Sequence, residues 1–499
     1  MLVNNLFKKR MPDILECIAN LSSDEVFTPP QLANSILDLL PKEVWRNKDL
    51  TFLDPSCKTG IFLRECAKRL MVGLEKDFPD EDERREHIFK NMLYGMAITD
   101  ITSLMSRRSL YYSKSGASEH SVVKFKDEKG NIFYENIQHT FKNRKCIHCG
   151  APAEMLDRVE GMEYHAYQFI HQDTIIKNNM KFSVIIGNPP YQLDTGGVGA
   201  QATPIYQKFI ETAIELNPRY ISMIIPSRWF AGGMGLGEFR AKMLSDKRLR
   251  VLVDHPNAED CFPGVEIKGG VCYFLWDSKY DGDCEVVSML GGEEVSRATR
   301  NLGEHDTFIR FNQSIDIINK IKIKHEETLD KKVSGVDPFK FPTNFKNYKK
   351  KEFKDSVKIY TRGEVGYLSA NEVKNNVLWI GKYKVALSQA YGAGSDYPHQ
   401  ITGKPFIMEP NSCCTFTYLI ISTFNNKFEA ENFEKYIKTR FFRFLVSLKK
   451  NTQHLSKDRF SFVPDLDMSV EWTDEKLYKR YGITEKEQEF ITSIVREMA

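Results

Sequence analysis

The stretch that most constrains the fold is residues 182–191, a short apolar run that stops at two prolines. Val184, Ile185 and Ile186 are consecutive and β-branched, which is typical of a strand buried on both faces of a sheet. The prolines that follow prevent further pairing of this strand. The sequence therefore predicts that an Asn-Pro-Pro-Tyr turn, residues 188–191, is held at the carboxyl end of a strand, where open α/β sheets bind their ligands.

Similar strands recur along the first part of the chain. Apolar runs at residues 52–53, 92–96, 220–225, 249–254 and 270–275 alternate with helical patterns, and a further short strand is expected at 168–173. This alternation predicts an α/β fold with a doubly wound, Rossmann-like sheet. After about residue 295 the pattern changes to helices mixed with short strands such as 377–380 and 384–387. We therefore expect a first domain over 1–295 and a second, α+β domain over 296–499.

A second turn, residues 54–60, follows the first predicted strand and leads into a helix. A strand, an acidic turn with a glycine and a helix form the geometry that seats a nucleotide-like cofactor. The turn has neither the dinucleotide glycine fingerprint nor the Lys-Ser/Thr ending of a P-loop, which argues against phosphate binding. Asp54 suits a cationic or hydroxyl-bearing cofactor better. A turn with a purely structural role is the alternative.

Residues 113–165 are polar and glycine-containing, and they interrupt the strand–helix pattern like an insertion. Cys146 and Cys149 have the spacing of metal ligands, and His139 and His165 flank them. Four such ligands can bind zinc tetrahedrally and stabilise a small insertion that has little core of its own. We predict a structural zinc site here; two free thiols at a turn are the alternative.

Charge and hydropathy say less about the partner than local patterns do. The 499 residues carry a net charge of +3, but lysines and aromatic residues interleave at 340–362, which fits contact with DNA phosphates. A solvated lysine-rich face is the alternative. The amino-terminal residues lack a secretory pattern, and no apolar window of about 18 residues occurs. We expect no membrane contact and a cytoplasmic protein with reduced thiols.

Taken in order, these motifs resemble the gamma-type N6-adenine DNA methyltransferases of bacterial restriction–modification systems. Phe27-Thr28-Pro29-Pro30 comes first, residues 54–62 follow, and Asp173 and the Asn-Pro-Pro-Tyr turn come next. The resemblance covers roughly residues 1–295, and the remainder resembles a target recognition domain, with a weaker signature at 453–464.

The resemblance implies an S-adenosylmethionine-dependent enzyme that acts on double-stranded DNA, and it assigns roles to individual residues. The cofactor-binding residues it implies are Thr28, Pro29, Asp54, Ser56, Gly60, Phe62, Asp173 and Asn188. The catalytic residues it implies are Asn188, Pro189, Tyr191 and Phe262. The Asn188 side chain and the Pro189 carbonyl would bind the amine of the target adenine, while Tyr191 stacks on the base and Phe262 packs against it.

The chemistry explains why these residue types are required. The lone pair of the adenine amine is delocalised into the ring, so two hydrogen-bond acceptors are needed to draw its hydrogens towards a tetrahedral arrangement. The freed lone pair then attacks the sulfonium methyl group, and aromatic faces favour the positive charge that builds up on the base. No metal is needed for this step. The base must leave the duplex, which costs about a few kcal/mol.

Two positions depart from the family pattern, and both concern the cofactor. Lys58 stands where the family usually has glycine, and Ala97 stands where an acidic residue for the ribose is expected, with Asp100 as the alternative. Two rival functions therefore stay open: a glutamine or protein methyltransferase with the same turn, and a DNA-specificity component with weakened cofactor binding. No nuclease constellation is found, so any cleavage would belong to a separate restriction endonuclease.

Overall fold

A computed structural model of the protein describes residues 26–135, 137–150, 152–153, 166–171, 181–193, 203–392, 397–450 and 454–498. The chain divides into two compact units, Met1–Asp306 and Thr307–Ala499. In the described part of the chain no helix has both the length and the apolar character that a membrane span requires.

The described strands of the first unit are β1 (Phe52–Asp54), β2 (Leu93–Met96), β3 (Ile132–Phe133), β4 (Phe141–Lys142), β5 (Lys145–Cys146), β6 (Val184–Gly187), β7 (Gln192–Leu193), β8 (Thr203–Pro204), β9 (Tyr220–Pro226), β10 (Leu249–His255), β11 (Val271–Asp277), β12 (Cys284–Leu290) and β13 (Glu293–Arg300). Nine of them form the main sheet, in the order β13-β12-β10-β11-β9-β6-β1-β2-β3. Strands β3, β2, β1, β6 and β9 run parallel, whereas β11 is antiparallel to both of its neighbours, β9 and β10. This mixed, mostly parallel sheet confirms the predicted α/β class.

The described helices of the first unit connect and flank these strands. They are Pro30–Leu37, Ile61–Gly73, Glu81–His87, Asp100–Tyr111, Gln168–His171, Tyr206–Glu215 and Gly237–Ser245. The central strands are buried on both faces, because Val184 and Ile186 belong to one core cluster while Ile185, between them, is equally buried on the opposite face. A central parallel strand covered on both sides is what the β-branched run predicted.

Two predictions about this unit need correction. Residues 168–171 form a short helix rather than a strand, because the amides of Ile170 and His171 both donate to the carbonyl of Tyr167. The predicted boundary at residue 295 falls inside β13, which pairs with β12 along its whole length and so belongs to the first unit. The division lies after Asp306 instead.

The second unit mixes two three-stranded sheets with helices, as an α+β domain does. Its strands are β14 (Ser356–Tyr360), β15 (Val365–Ser369), β16 (Tyr383–Ser388), β17 (Phe406–Met408), β18 (Ser412–Cys414) and β19 (Tyr418–Phe424), arranged as β15-β14-β18 and β17-β16-β19. Its main helices are Gln313–Lys322, Lys427–Lys438, Arg440–Ser447, Asp474–Tyr481 and Glu485–Ile494. Val377–Ile380, predicted as a strand, is a single helical turn that follows Asn376 in the left-handed region. Leu378 is 85% exposed there, so this apolar run is not part of a buried sheet.

The basic aromatic stretch at 340–362 separates into an inner and an outer side. Phe339 and Phe341 are buried in a core cluster of the second unit, and Phe345, Tyr348 and Tyr360 pack against that cluster. The exposed charged residues of the stretch include Lys340, Lys346, Lys349, Lys350, Lys351, Lys354 and Arg362. These aromatic residues therefore pack in or against the core, and the exposed side of this stretch is mainly basic.

Candidate active site and metal-ligand cluster

The Asn-Pro-Pro-Tyr turn begins where β6 ends, directly beside the end of β1. Gly187, the last residue of β6, has a φ of 152°, and a Cβ atom placed on it would lie 2.7 Å from the Asp54 carboxylate oxygen Oδ1. Only glycine lets the two strand ends approach this closely without a shift. The turn and Asp54 are thus brought together by backbone packing.

Asn188 is the polar centre of this edge of the sheet and is only 3% exposed. Its amide Nδ2 donates to the Val26 carbonyl at 3.0 Å and to Thr28 Oγ1 at 3.1 Å. These two bonds fix which end of the amide points where. Its other atom, Oδ1, is buried and accepts no hydrogen bond from the described residues. A buried acceptor left unsatisfied costs about 1–3 kcal/mol, so a ligand that donates to it would be favoured.

The turn after β1 is hydrogen-bonded to the Asn-Pro-Pro-Tyr turn, the predicted catalytic turn. Ser56 Oγ donates to the Asn188 carbonyl at 3.1 Å, and the Ser56 amide donates to Asp54 Oδ1 at 3.1 Å. Burial raises the pKa of Asp54 to about 7, although the Ser56 amide and the Lys58 ammonium each act to lower it. A buried carboxyl poised near neutrality can accept a cation and then ionise fully.

Lys58 does not point away from the site into solvent. It is 6% exposed, and its Nζ donates to the same Val26 carbonyl that accepts from Asn188, at 3.0 Å. The departure from the family pattern therefore places a cation beside Asp54 and the Asn188 amide. Ala97 is buried after β2, whereas Asp100 is exposed at the start of its helix.

The other predicted cofactor-binding residues that the structure describes lie in or near the turn after β1. Gly60 has a left-handed φ of 72° and leads into the helix Ile61–Gly73, whose Phe62 is buried. Thr28 is buried, and Pro29 precedes the helix Pro30–Leu37 and accepts from its Ala33 amide. The structure thus brings Thr28, Asp54, Ser56 and Asn188 into one hydrogen-bonded group. Asp173 lies outside the described residues.

Two predicted aromatic residues meet beside the catalytic turn. The rings of Tyr191 and Phe262 lie 6.5 Å apart, edge to face, and both are buried. Tyr191 also lines a cavity of about 290 Å³ between the carboxyl ends of β6 and β9, near the lower bound of about 300 Å³ for small-molecule pockets. The cavity is lined by Val26, Tyr191, Gln192, Pro204, Tyr206, Pro226, Arg228, Val265, Glu266, Ile267 and Lys268.

Tyr206 and Arg228 were not predicted as site residues from the sequence. Arg228 lies two residues after Pro226, the last residue of β9, and prolines likewise come just after the end of β6. This similarity between the two strand ends is the sequence signal that could have identified Arg228 as a site residue. Tyr206 is 1% exposed, and burial raises the pKa of its phenol above the usual range. No comparable sequence signal marks Tyr206, since it begins an ordinary amphipathic helix.

In the insertion the structure brings together three of the four predicted metal ligands. His139, Cys146 and Cys149 form a cluster with His171, and the potential ligand atoms of the four lie within 4.8 Å of one another. His165, the fourth predicted ligand, lies outside the described residues. Burial, helped by the neighbouring His139 and His148, lowers the pKa of His171 to about 4, so its imidazole is neutral at physiological pH.

Comparison with known proteins gives both a family and a relative. Residues 91–262 match the family described as Eco57I restriction-modification methylase, and this range includes the catalytic turn and Phe262. The chain is 38% identical over 326 residues to a protein of Mycoplasma pneumoniae named "Uncharacterized adenine-specific methylase". That similarity covers 58% of this chain and 76% of the relative.

Weaker structural similarity is found to longer restriction–modification proteins of known structure. A modification subunit of a putative type I restriction enzyme from Vibrio vulnificus YJ016 is 16% identical, with a TM-score of 0.34 over 56% of this chain. A nuclease-deletion mutant of the Type ISP enzyme LlaGI in complex with a DNA substrate mimic is 12% identical, with a TM-score of 0.48 over 86% of this chain. The chain spans 50% and 45% of the lengths of these two proteins, respectively.

Proposed function

Because the chain belongs to the adenine-specific methylase family of its Mycoplasma relative, we propose that it transfers a methyl group from S-adenosylmethionine to N6 of an adenine in DNA. The observation that carries the proposal is the buried Oδ1 of Asn188, which has no hydrogen-bond donor among the described residues. The amide nitrogen of Asn188 is already anchored on Val26 and Thr28, so the oxygen is held ready to accept from an amine.

The proposed reaction uses this oxygen as one of two acceptors for the target amine, the other being the Pro189 carbonyl. Drawing the two hydrogens of the amine towards these acceptors frees its lone pair for in-line attack on the methyl group. The hydrogen bonds that fix Asn188 mean that little reorganisation is needed at the moment of reaction, which is where preorganised dipoles contribute most.

The turn after β1 is proposed to bind S-adenosylmethionine, the group that supplies the methyl. Asp54 is buried beside Ser56 and Asn188, and its carboxylate fits the ammonium of the methionine end, since a buried acid with a pKa near 7 is stabilised as an anion by an added cation. Thr28, Pro29, Gly60 and Phe62 are proposed to complete this binding site, with Asp173 for the adenine moiety.

The cavity beside Tyr191 is proposed to receive the target base. A volume of about 290 Å³ and the aromatic rings of Tyr191 and Tyr206 fit a single planar ring system better than a peptide. Tyr191 would stack on the extrahelical base, and Phe262 would support Tyr191 from its edge. Stacking of this kind contributes about 1–3 kcal/mol per base and offsets the cost of extrusion.

The second unit, residues 307–499, is proposed to be the target recognition domain for double-stranded DNA. The support is the exposed basic side of the stretch 340–362, which could neutralise phosphates. Replacing Lys349, Lys350 and Lys351 with alanine should reduce the salt dependence of DNA binding by about 0.9 in log–log slope for each phosphate that is no longer neutralised. The paired replacement of the exposed Lys476 and Lys479 serves as the control.

Three further parts of the proposal concern the setting of the enzyme. Acting on bacterial DNA, the protein would work in the cytoplasm. Cleavage in the same restriction–modification system would fall to a separate endonuclease. The insertion would hold a structural zinc ion, with Cys146, Cys149 and His139 among its ligands.

The test is methyl transfer by the purified chain from labelled S-adenosylmethionine to DNA of a host lacking adenine methylation. We expect N6-methyladenine in hydrolysed DNA from the wild type, and a rate about 100- to 1,000-fold lower for Asn188→Ala, the loss typical of removing a preorganised hydrogen-bonding group. Asn301→Ala, which removes an exposed asparagine in the same unit, should retain wild-type activity.

The rival functions give different results in the same assay. Label in protein rather than in DNA would favour a glutamine or protein methyltransferase. Specific DNA binding without S-adenosylmethionine binding in calorimetry would favour a specificity component. Methylated DNA formed equally by the wild type and Asn188→Ala would overturn the proposed role of Asn188.

A further inference from the structure

We propose that the fourth ligand of a zinc ion in the insertion is His171, so that the metal joins the β4–β5 hairpin to the segment that leads towards the catalytic strand. His171 was expected to belong to a strand next to the insertion and not to the metal site itself. The proposal stands on the geometry of the cluster and is independent of the methyltransferase function.

The spacing of the side chains already resembles the edges of a zinc tetrahedron. Cys149 Sγ lies 3.4 Å from His139 Nδ1, and His171 Nε2 lies 3.2 Å from the same His139 nitrogen. With Zn–S of about 2.3 Å and Zn–N of about 2.0–2.1 Å, a regular tetrahedron has S···N edges of about 3.6 Å and N···N edges of about 3.3 Å. The cluster could bind the ion with only small movements of its side chains.

The orientation of His171 also suits a metal ligand. Its Nδ1 lies 2.9 Å from the Tyr167 carbonyl, to which the Nδ1–H donates, and this leaves Nε2 directed towards His139. Zinc-bound histidines nearly always donate their second ring nitrogen to a carbonyl or carboxylate in this way, which fixes the ring and raises its basicity as a ligand. His148, whose ring lies 5.6 Å from that of His171, is not part of the four-residue cluster.

The hairpin presents the two cysteines together. Strands β4 and β5 are joined by Asn143 and Arg144, both with positive φ, as a tight two-residue hairpin turn requires. After β5 the Gly150 amide donates to the Cys146 carbonyl at 2.9 Å, which turns the chain so that Cys149 comes back beside His139. Both cysteines are buried although most residues around them are exposed.

A metal ion at this point would stabilise the insertion, which has little hydrophobic core of its own. Gln168–His171 is a single short helix, held to the first unit by Tyr167 and Phe169, whose rings both contact Phe209. The hairpin has no comparable apolar anchor among its described residues, where Phe141 is 42% exposed. A zinc ion bound by both the hairpin and the helix would attach the hairpin to the helix, which itself packs on Phe209. The insertion would then be held to the first unit through the metal.

The experiment measures the metal content of the full chain purified without added chelator. We expect about one zinc per chain in the wild type, in His148→Asn and in His165→Asn, and less than about a tenth of that in Cys146→Ser and His171→Asn. Zinc retained at the wild-type level in His171→Asn would overturn the proposal, and so would a wild type that neither contains zinc nor takes up cobalt. Loss of the metal in His165→Asn but not in His171→Asn would make His165 the ligand instead.

A second variant separates ligation from folding. In His171→Cys a thiolate replaces the imidazole, so the cobalt-substituted protein should keep its tetrahedral visible spectrum and gain about half as much sulfur-to-cobalt charge-transfer absorbance again, as two thiolates become three. If His171 supported the insertion only by packing, the charge-transfer band would keep its wild-type intensity, and the proposal would be wrong. This result does not depend on methyl transfer.

Discussion

The proposed catalytic turn and the proposed metal-ligand cluster both gather polar side chains from distant parts of the chain, but they are held in different ways. Asn188, at the end of β6, donates to the Val26 carbonyl and to Thr28, and its own carbonyl accepts from Ser56, which follows the adjacent parallel strand β1. The strand that leads to it is part of a continuous apolar core. The cluster is held by side chains facing one another across a small hairpin and a short helix. A sheet edge can preorganise a site without its ligand, whereas under our proposal the insertion depends on a metal ion to complete its own structure.

The largest expected effect tests the first half of this comparison at Gly187. In Gly187→Ala the added Cβ would meet Asp54 Oδ1 at 2.7 Å, so the end of β6 and the turn after β1 must move apart. We expect a loss of about 1–3 kcal/mol in unfolding free energy and methyl transfer at least about a hundredfold lower, measured by chemical denaturation and by DNA methylation. Gly237→Ala, at an open helical position, is the control and should change neither quantity appreciably.

Wild-type activity in Gly187→Ala would mean that the two turns tolerate separation. The site would then be no more rigid than the insertion, and the contrast between the two regions would fail.

A smaller effect is expected at Tyr191, where the protein contributes a surface rather than a hydrogen bond. Tyr191→Ala should lower kcat/KM for DNA methylation by roughly 10–100-fold, since stacking on a base is worth about 1–3 kcal/mol. Tyr191→Phe should stay within about threefold of the wild type, because the ring face is kept and the hydroxyl, although it lies near the Asn188 side chain, makes no well-formed hydrogen bond among the described residues. A large loss in Tyr191→Phe would show that the hydroxyl, and not the ring face, is the functional group.

The same contrast explains what the sequence could and could not predict. The catalytic turn was predictable because its strand, its prolines and its polar residues are contiguous, and residues 184–187 pair as expected on both sides. The α/β class of the first unit was predictable for a similar reason, because apolar runs alternate with helical patterns along the sequence. Local sequence determines these features, and burial of the strands enforces them.

The errors fall where local sequence competes with tertiary contacts. Gln168–His171 reads as a strand, but the aromatic anchoring on Phe209 and the bonds to the Tyr167 carbonyl favour a helical turn. That error concealed His171 as a candidate ligand. The basic aromatic stretch was taken as one surface, although the residues that alternate along it face opposite sides. Whether a side chain of this stretch faces the core or the solvent depends on the residues it packs against in the folded protein, and the composition of the stretch does not identify them.

Asp54 provides a pH test of the cofactor side of the site. Its folded pKa of about 7 lies above the ordinary value of 3.8, so ionisation of Asp54 makes folding less favourable as the pH rises between these values. Binding of a cationic cofactor favours the ionised form, so affinity for S-adenosylmethionine should rise about tenfold between pH 6 and pH 8 on account of this group. Calorimetry across this range would measure it.

The control for this titration is Asp54→Asn, which is isosteric and does not ionise. Its affinity should be lower at pH 8, and the pH dependence that remains should belong to the cofactor's own amine, whose class titrates at about 7.7–8.0. A wild type whose affinity follows the same pH profile as Asp54→Asn would show that Asp54 does not bind the cation.

The smallest effect is expected at Lys58, the departure that brings a cation next to Asp54. In Lys58→Met the pKa of Asp54 should rise further, because the ammonium is one of the groups that lower it, so the pH profile of cofactor binding should move to higher pH. The Val26 carbonyl keeps its bond from Asn188, so removal of the bond from Lys58 should cost only about 1 kcal/mol of stability. If binding instead weakens by more than about tenfold at every pH without a shift of the profile, Lys58 pairs directly with the cofactor's carboxylate, and the residue that departs from the family pattern is itself part of the binding site.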